Sequence, residues 1–245
     1  MGISSIKLPS LEKYKNFLED ALEYYYDKLL FLKYYRKFPK SRYHSFKFAL
    51  QYIKQNNLNN IVELGTIRSF VDGRFEGCNM NDIKYWEENN PQKWDWSAGM
   101  STRIFCENLT GKTNKITTVD ISDEHLNRCK EVTKKFNNIT YVHSSSENFL
   151  KKLNEKVDVI YIDTGDFDPV EENALNQLLE VHLIVDKNIL NINGLIIIDD
   201  ICNPEVRKLG EEDKYGKSKY SIPYLLDNNF EIIFNEYQII LRKIN

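Results

Sequence analysis

Four apolar runs along the chain carry an acid at or near their C-terminal end, with stretches of mixed polarity between them. They are Ile61-Val62-Glu63-Leu64-Gly65-Thr66, Ile116-Thr117-Thr118-Val119-Asp120, Val157-Asp158-Val159-Ile160-Tyr161-Ile162-Asp163 and Leu195-Ile196-Ile197-Ile198-Asp199-Asp200. Short β-branched runs of this kind read as buried parallel strands. In an open parallel sheet, ligands bind outside the carboxyl ends of the strands. The pattern therefore delivers Glu63, Asp120, Asp163, Asp199 and Asp200 to one acidic rim.

Between these runs the spacing turns helical. Arg42 to Ile53, Asp123 to Lys135, Glu147 to Leu153 with Ser146 as N-cap, Val170 to Val185 and Ser221 to Asp227 are expected helices. Ile139 to His143 is a further short strand, and Asn193-Gly194 reads as the turn into the run that ends at Asp199. Phe230 to Asn235 and Tyr237 to Arg242 alternate about a tight turn and predict a closing antiparallel hairpin. Strands alternating with helices and ending in a hairpin predict one α/β domain over residues 59–245, a Rossmann-like, doubly wound sheet. Residues 1–58 read as a helical segment ahead of it. Leu11, Tyr14, Leu18, Ala21, Tyr25, Leu29 and Leu32 recur at three- and four-residue steps, a stripe suited to packed core or to a subunit contact that would support a homodimer. Residues 67–98 interrupt the alternation with a polar, aromatic stretch holding Trp86, Trp94 and Trp96. It reads either as a lid or substrate wall at the rim, or as a surface excursion that its tryptophans anchor.

Composition narrows the class. The 245 residues are 42% hydrophobic and 28% charged, as in an ordinary globular protein, and no apolar run approaches the ~20 residues of a membrane helix. The start lacks the apolar core of a secretory signal, and the four cysteines form no Cys-x-x-Cys pair, so neither a zinc site nor a disulfide framework is indicated. A cytoplasmic compartment is the default expectation. The net charge of −3 is uneven: residues 1–58 hold 11 Lys and Arg against 5 Asp and Glu, and seven basic residues lie between Lys28 and Lys47 without an acid. That run reads as a solvated helical face, or as a basic rim attracting an anionic substrate. The acidic remainder argues against a broad nucleic-acid surface.

The loop after the first strand separates the candidate ligands. A dinucleotide site would place Gly-x-Gly-x-x-Gly there, and a phosphate-cradling loop would need a second glycine before Gly111-Lys112-Thr113; neither pattern is present. What remains is Gly65, able to let a ligand approach the backbone, and Asp120 at the end of the second strand, suited to accept hydrogen bonds from both ribose hydroxyls. That combination fits a nucleoside without pyrophosphate.

Val62-Glu63-Leu64-Gly65-Thr66, Val119-Asp120, Ile160-Tyr161-Ile162-Asp163 and Ile197-Ile198-Asp199-Asp200 resemble, in order, the motifs of class I S-adenosylmethionine (SAM)-dependent methyltransferases. Within that superfamily the chain is similar to small-molecule O-methyltransferases of the macrocin and catechol type, over roughly residues 42 to 243. The resemblance implies a seven-stranded, mostly parallel sheet whose last strand is antiparallel. It implies that Glu63 and Gly65 face the methionine end of SAM, that Asp120 holds the ribose, that Ser145 and Ser146 lie near the adenine, and that Thr66 belongs to the same cofactor site. The insertion splits the glycine loop, and Gly99-Met100-Ser101-Thr102 resumes it.

Asp163, Asp199 and Asp200 form a second constellation. Three carboxylates brought together stay ionised only if a cation neutralises them, and oxygen-only ligands suit Mg²⁺ or a similar divalent ion. The O-methyltransferases that the chain resembles use such an ion to hold the acceptor hydroxyl and lower its pKa. The plainer alternative is that Asp199 caps a turn while Asp163 shapes the cofactor pocket. For the general base, Asp166, three residues past Asp163, is favoured and could equally serve as a ligand; His44 is a second candidate that could touch substrate.

The expectation is thus SAM-dependent methyl transfer to a hydroxyl of a small, sugar-like or natural-product-like acceptor, with a divalent cation assisting. A nucleoside-binding module without catalysis and an NAD-linked oxidoreductase are the alternatives.

Overall fold

The computed structural model describes residues 42–71, 78–90, 93–95, 99–111, 113–166, 170–201 and 215–245. The N-terminal stripe with its expected subunit contact, Trp96 and most of the basic run lie outside these residues.

Seven strands form one sheet: β1 (Asn60–Leu64), β2 (Lys115–Asp120), β3 (Ile139–His143), β4 (Val157–Ile162), β5 (Leu190–Ile198), β6 (Phe230–Asn235) and β7 (Ile239–Lys243). Their order is β3-β2-β1-β4-β5-β7-β6, parallel from β3 to β5, with β7 antiparallel to both of its neighbours. The expected seven-stranded, mostly parallel architecture is present. The strand order reverses direction between β1 and β4, and in such a sheet the reversal opens a crevice at the carboxyl ends.

Both faces are covered, as the continuous apolar runs require. On one face, Phe46, Ala49, Leu50 and Ile53 of α1 (Tyr43–Gln55) pack with α2 (Ser101–Asn108) and with Cys129 and Val132 of α3 (Asp123–Thr133) over Ile61, Val159, Tyr161 and Ile197. Phe46 stacks on Tyr161 with ring centroids 5.8 Å apart. On the other, α4 (Ser146–Lys152), α5 (Val170–Asp186) and α6 (Ser221–Asp227) contribute Leu150, Val181, Ile184, Ile222 and Leu225 over Val62, Leu64, Ile160 and Ile198. No helix among the described residues is long and apolar enough to cross a membrane.

Two local expectations change. Asn193-Gly194 is not a turn but an irregularity inside β5, where the register against β4 shifts between Val157 and Val159 and Asn193 takes a φ of 62°. An alternating run interrupted by Asn-Gly carries the same signal for a turn and for a bulge. The N-cap of α4 is Ser145, whose hydroxyl accepts from the Asn148 amide, while Ser146 turns its hydroxyl to Glu180. The 67–98 stretch is anchored where it is described. Ile67, Phe70, Val71 and Trp94 are buried, Val71 bridges Trp94, and Trp86 stacks on Trp94 at 4.6 Å. Arg103 reaches out of α2 to Glu88 at 2.6 Å and fastens the insertion from below.

Candidate functional site

The insertion leaves the sheet at Thr66 and returns at Gly99, and the two ends meet. A Cβ on Gly99 would lie 2.8 Å from the Thr66 carbonyl oxygen, and the Thr66 and Thr102 hydroxyls are 3.1 Å apart. A glycine loop divided by about thirty residues of sequence is thus rejoined in space. Gly65 takes a φ of +90°, and a Cβ there would lie 2.3 Å from the Asp163 carbonyl oxygen, so only glycine lets β1 and β4 end this close together.

Above this junction lies a cleft of about 500 Å³ at the carboxyl ends of β1, β2 and β4. Gly65, Thr66, Gly99, Asp120, Ser145, Ser146, Asp163 and Asp166 of the expected site residues line it, together with Arg68, Ile121, His125, Asn173 and Glu180. The Asp120 carboxylate accepts from the Thr66 amide at 3.1 Å and the Ser122 amide at 2.8 Å. His125 Nδ1, from the first turn of α3, lies 3.2 and 3.3 Å from the two Asp120 oxygens. Glu180 is buried, accepts from the Ser146 hydroxyl and from that of Thr164 at 2.9 Å, and is pushed up to about 6 by burial.

Glu63, Ser101 and Thr102 sit beneath the cleft rather than on it. The Glu63 carboxylate is fully buried and takes hydroxyls from Ser101 at 2.5 Å, Thr118 at 2.6 Å and Thr102. It therefore ties the start of α2 to β1 and β2. Burial pushes this carboxyl up from 4.5 to about 7, against the pull of the three hydroxyls, and Asp120 adds to the rise. Between about pH 4.5 and 7 the folded protein holds a proton here that the unfolded chain has released. Its contribution is full below 4.5 and lost as the pH rises to 7, on the order of 3 kcal/mol. A Glu63→Gln variant, whose amide the rotatable hydroxyls can still satisfy, should lose this slope. Urea midpoints at pH 5 and pH 8 compared between the two proteins check it.

The second constellation differs from its expectation. Arg42 Nε lies 3.1 and 2.9 Å from the two Asp199 oxygens, and its terminal nitrogen lies 3.0 Å from Asp200. Lys217, fully buried on the 3₁₀ turn Gly216–Ser218, places Nζ 3.5 Å from Asp200 and 4.0 Å from Asp163, and donates to the carbonyls of Thr164 and Gly165. Tyr161 and Tyr237 donate their hydroxyls to Asp199 and Asp200. Two side chains thus supply the positive charge expected from Mg²⁺, and they occupy the carboxylate oxygens that an ion would need. Among the described residues no group of three or more His, Cys, Asp or Glu side chains could hold a metal ion. The donor set does not fit a divalent cation.

Burial, then Asp199 and Asp200, push the Asp163 carboxyl well above the usual carboxylate range, with Lys217 and Arg42 opposing. Asp200 goes the other way: burial pushes it up, but Lys217 and Arg42 outweigh that and hold it below its ordinary value. Asp166 stands at the rim with its side chain 69% exposed, paired with Arg68. His44 is exposed on α1 and does not line the cleft.

Arg42, His125 and Lys217 carry weight here that their sequence context did not reveal. His125, five residues beyond Asp120, could have been found from its place in the first turn of a helix leaving the site. Lys217 sits in a charged stretch that gives no sign of burial.

Residues 96–201 match a family model described as a methyltransferase domain. A comparison with curated proteins finds no match. Among solved structures, the fold is similar to a SAH-bound (S-adenosylhomocysteine-bound) methyltransferase of Podospora anserina, PaMTH1, with a TM-score of 0.54 at 16% identity, covering 99% of this chain and 100% of that one. It is also similar to the N-methyltransferase NodS of Bradyrhizobium japonicum WM9, with a TM-score of 0.50 at 10% identity, covering 85% of this chain and 99% of that one. At these identities the likeness is one of fold.

Proposed function

We propose that this chain is a class I SAM-dependent methyltransferase that methylates a hydroxyl of a small molecule, a reading that the match to a methyltransferase-domain model and the fold support. The observation that carries the reading is the pairing, in one cleft, of a fixed carboxylate at the end of β2 with a high-pKa carboxylate at the end of β4. Asp120, held by two backbone amides, presents its carboxylate to the ribose hydroxyls. Gly65 and Gly99 keep the floor free of side chains where the donor must lie against the backbone.

SAM supplies an electrophilic methyl group on a sulfonium sulfur. A neutral amine is nucleophilic enough to attack as it stands, whereas a hydroxyl must lose its proton as the new C–O bond forms. Asp163 is placed to take that proton: it lines the cleft, and its raised affinity for a proton makes it a stronger base than an ordinary carboxylate. Lys217 holds the loop that carries it through the Thr164 and Gly165 carbonyls. Proton removal by Asp163 takes the place of the metal-assisted route implied by the resemblance.

Incubation with methyl-labelled SAM and a panel of small hydroxyl and amine acceptors tests the reading. Label appearing in methyl ethers supports it. Label appearing only in methylamines, or nucleoside binding without any transfer, refutes it.

A further inference from the structure

A fully buried lysine needs an acceptor for each of its three ammonium protons. Lys217 has them: its Nζ lies 3.2 Å from the Thr164 carbonyl, 3.1 Å from the Gly165 carbonyl and 3.5 Å from the Asp200 carboxylate. Asp163 stands next, at 4.0 Å, too far for a hydrogen bond but close enough to feel the charge. One ammonium thus joins the loop after β4 to the acid that follows β5. Gly216 opens the turn at a φ of 51°, and Lys219 and Tyr220 both bond Glu171 of α5, so the backbone that carries Lys217 is pinned.

Charges of both signs meet at Asp163. Asp199 and Asp200 face it from beyond β5, Tyr161 from its own strand and Arg42 from ahead of α1, while Glu180 of α5 interacts with Lys217 in turn. The two acids favour the protonated form of Asp163, and the two cations oppose them, Lys217 more than Arg42. Arg42 is set on the acids themselves, with Nε on Asp199 and a terminal nitrogen on Asp200. A base that enters the reaction already protonated is idle. The ammonium beside the carboxylate therefore bears on the rate.

We infer that Lys217 is a positioning residue for the transfer: it fixes the loop behind Asp163 and supplies the charge that keeps that carboxylate ready to take a proton. This rests on the reading of Asp163 as the base. Lys217 does not line the cleft, so it acts through Asp163 and touches neither donor nor acceptor.

Infrared titration of the protein reads Asp163 directly, through the carboxylic-acid C=O band that Asp163→Asn removes. Lys217→Met should raise the midpoint of that band by about one pH unit or more. Lys217→Gln, whose amide can still donate to the loop carbonyls, should raise it as well, and Lys217→Arg should leave it within about half a unit. Asp200→Asn removes a charge of the other sign and should lower it. The acid limb of methyl transfer to the best hydroxyl acceptor of the panel should move with the band, while SAH affinity stays within a few fold. A midpoint unmoved by both neutral variants, or no band lost in Asp163→Asn, would overturn the role of Lys217 and leave Asp163 as the base. If neither neutral variant folds, Asp200→Asn decides, and an unmoved midpoint there would overturn the charge role. A band that moves while the acid limb stays in place would refute the base itself, and the inference with it.

Discussion

Replacing Gly65 by alanine is expected to destabilise the protein by about 3 kcal/mol or more and to weaken SAH binding in whatever fraction remains folded. Two independent causes add. The residue sits at a φ of +90°, where an L side chain is strained, and the new Cβ would lie 2.3 Å from the Asp163 carbonyl oxygen. Neither backbone can step aside cheaply. The Gly65 amide donates to Val119 at 2.9 Å, and the Asp163 amide donates to Leu64 at 2.9 Å, so the contact is clamped between three strands. Gly111→Ala is the control. That glycine is exposed, shows no left-handed φ, and would meet the Asn114 side chain, which can swing away. Urea denaturation of both variants should show a large loss for the first and a change within about 0.5 kcal/mol for the second.

Asp163→Asn should lower kcat by about 10²- to 10⁴-fold, the usual contribution of a positioned general base, while SAH affinity stays within a few fold. The wild-type pH profile gives the same test without mutation. A base works deprotonated, so the rate should fall as pH drops through the Asp163 pKa. Because burial and the Asp199 and Asp200 charges raise that pKa, the fall should begin well above the range of an ordinary carboxylate. The asparagine variant should lose that limb of the profile. Steady-state rates across pH, with SAM saturating, decide it.

The strand ends were legible because parallel strands buried on both faces are written as short, nearly continuous apolar runs. The runs of β2 and β4 close on acids that face the crevice, so Asp120 and Asp163 could be located before any packing was known. The rejoined glycine loop was half legible. Gly99 through Thr102 could be matched by type, but only the packing of Trp94, Val71 and Phe70 shows why the ends of the insertion meet. The charge balance at Asp199 and Asp200 was not legible. Its cations come from Arg42, 157 residues away from Asp199, and from Lys217, whose burial depends on the packing of a 3₁₀ turn. Three acids at strand ends carry the same sequence signal whether an ion or two side chains neutralise them. Glu63 shows the same limit from the other side: its position was read correctly at the end of β1, but its partners Ser101, Thr102 and Thr118 come from later segments that close over it.

The central claim is that the cleft holds a nucleoside by its ribose at Asp120. Calorimetric titration of SAH into the wild type and into Asp120→Asn tests it most directly: the Thr66 and Ser122 amides reach different Asp120 oxygens, so asparagine keeps an acceptor for one of them and gives up the charge that the ribose hydroxyls would meet. Hydrogen bonds to a charged group contribute about 1.5–3 kcal/mol, so the variant should bind about 10- to 100-fold more weakly, at a stoichiometry of one that shows the protein folded. Equal affinity in the two proteins, or no binding by the wild type, would contradict it.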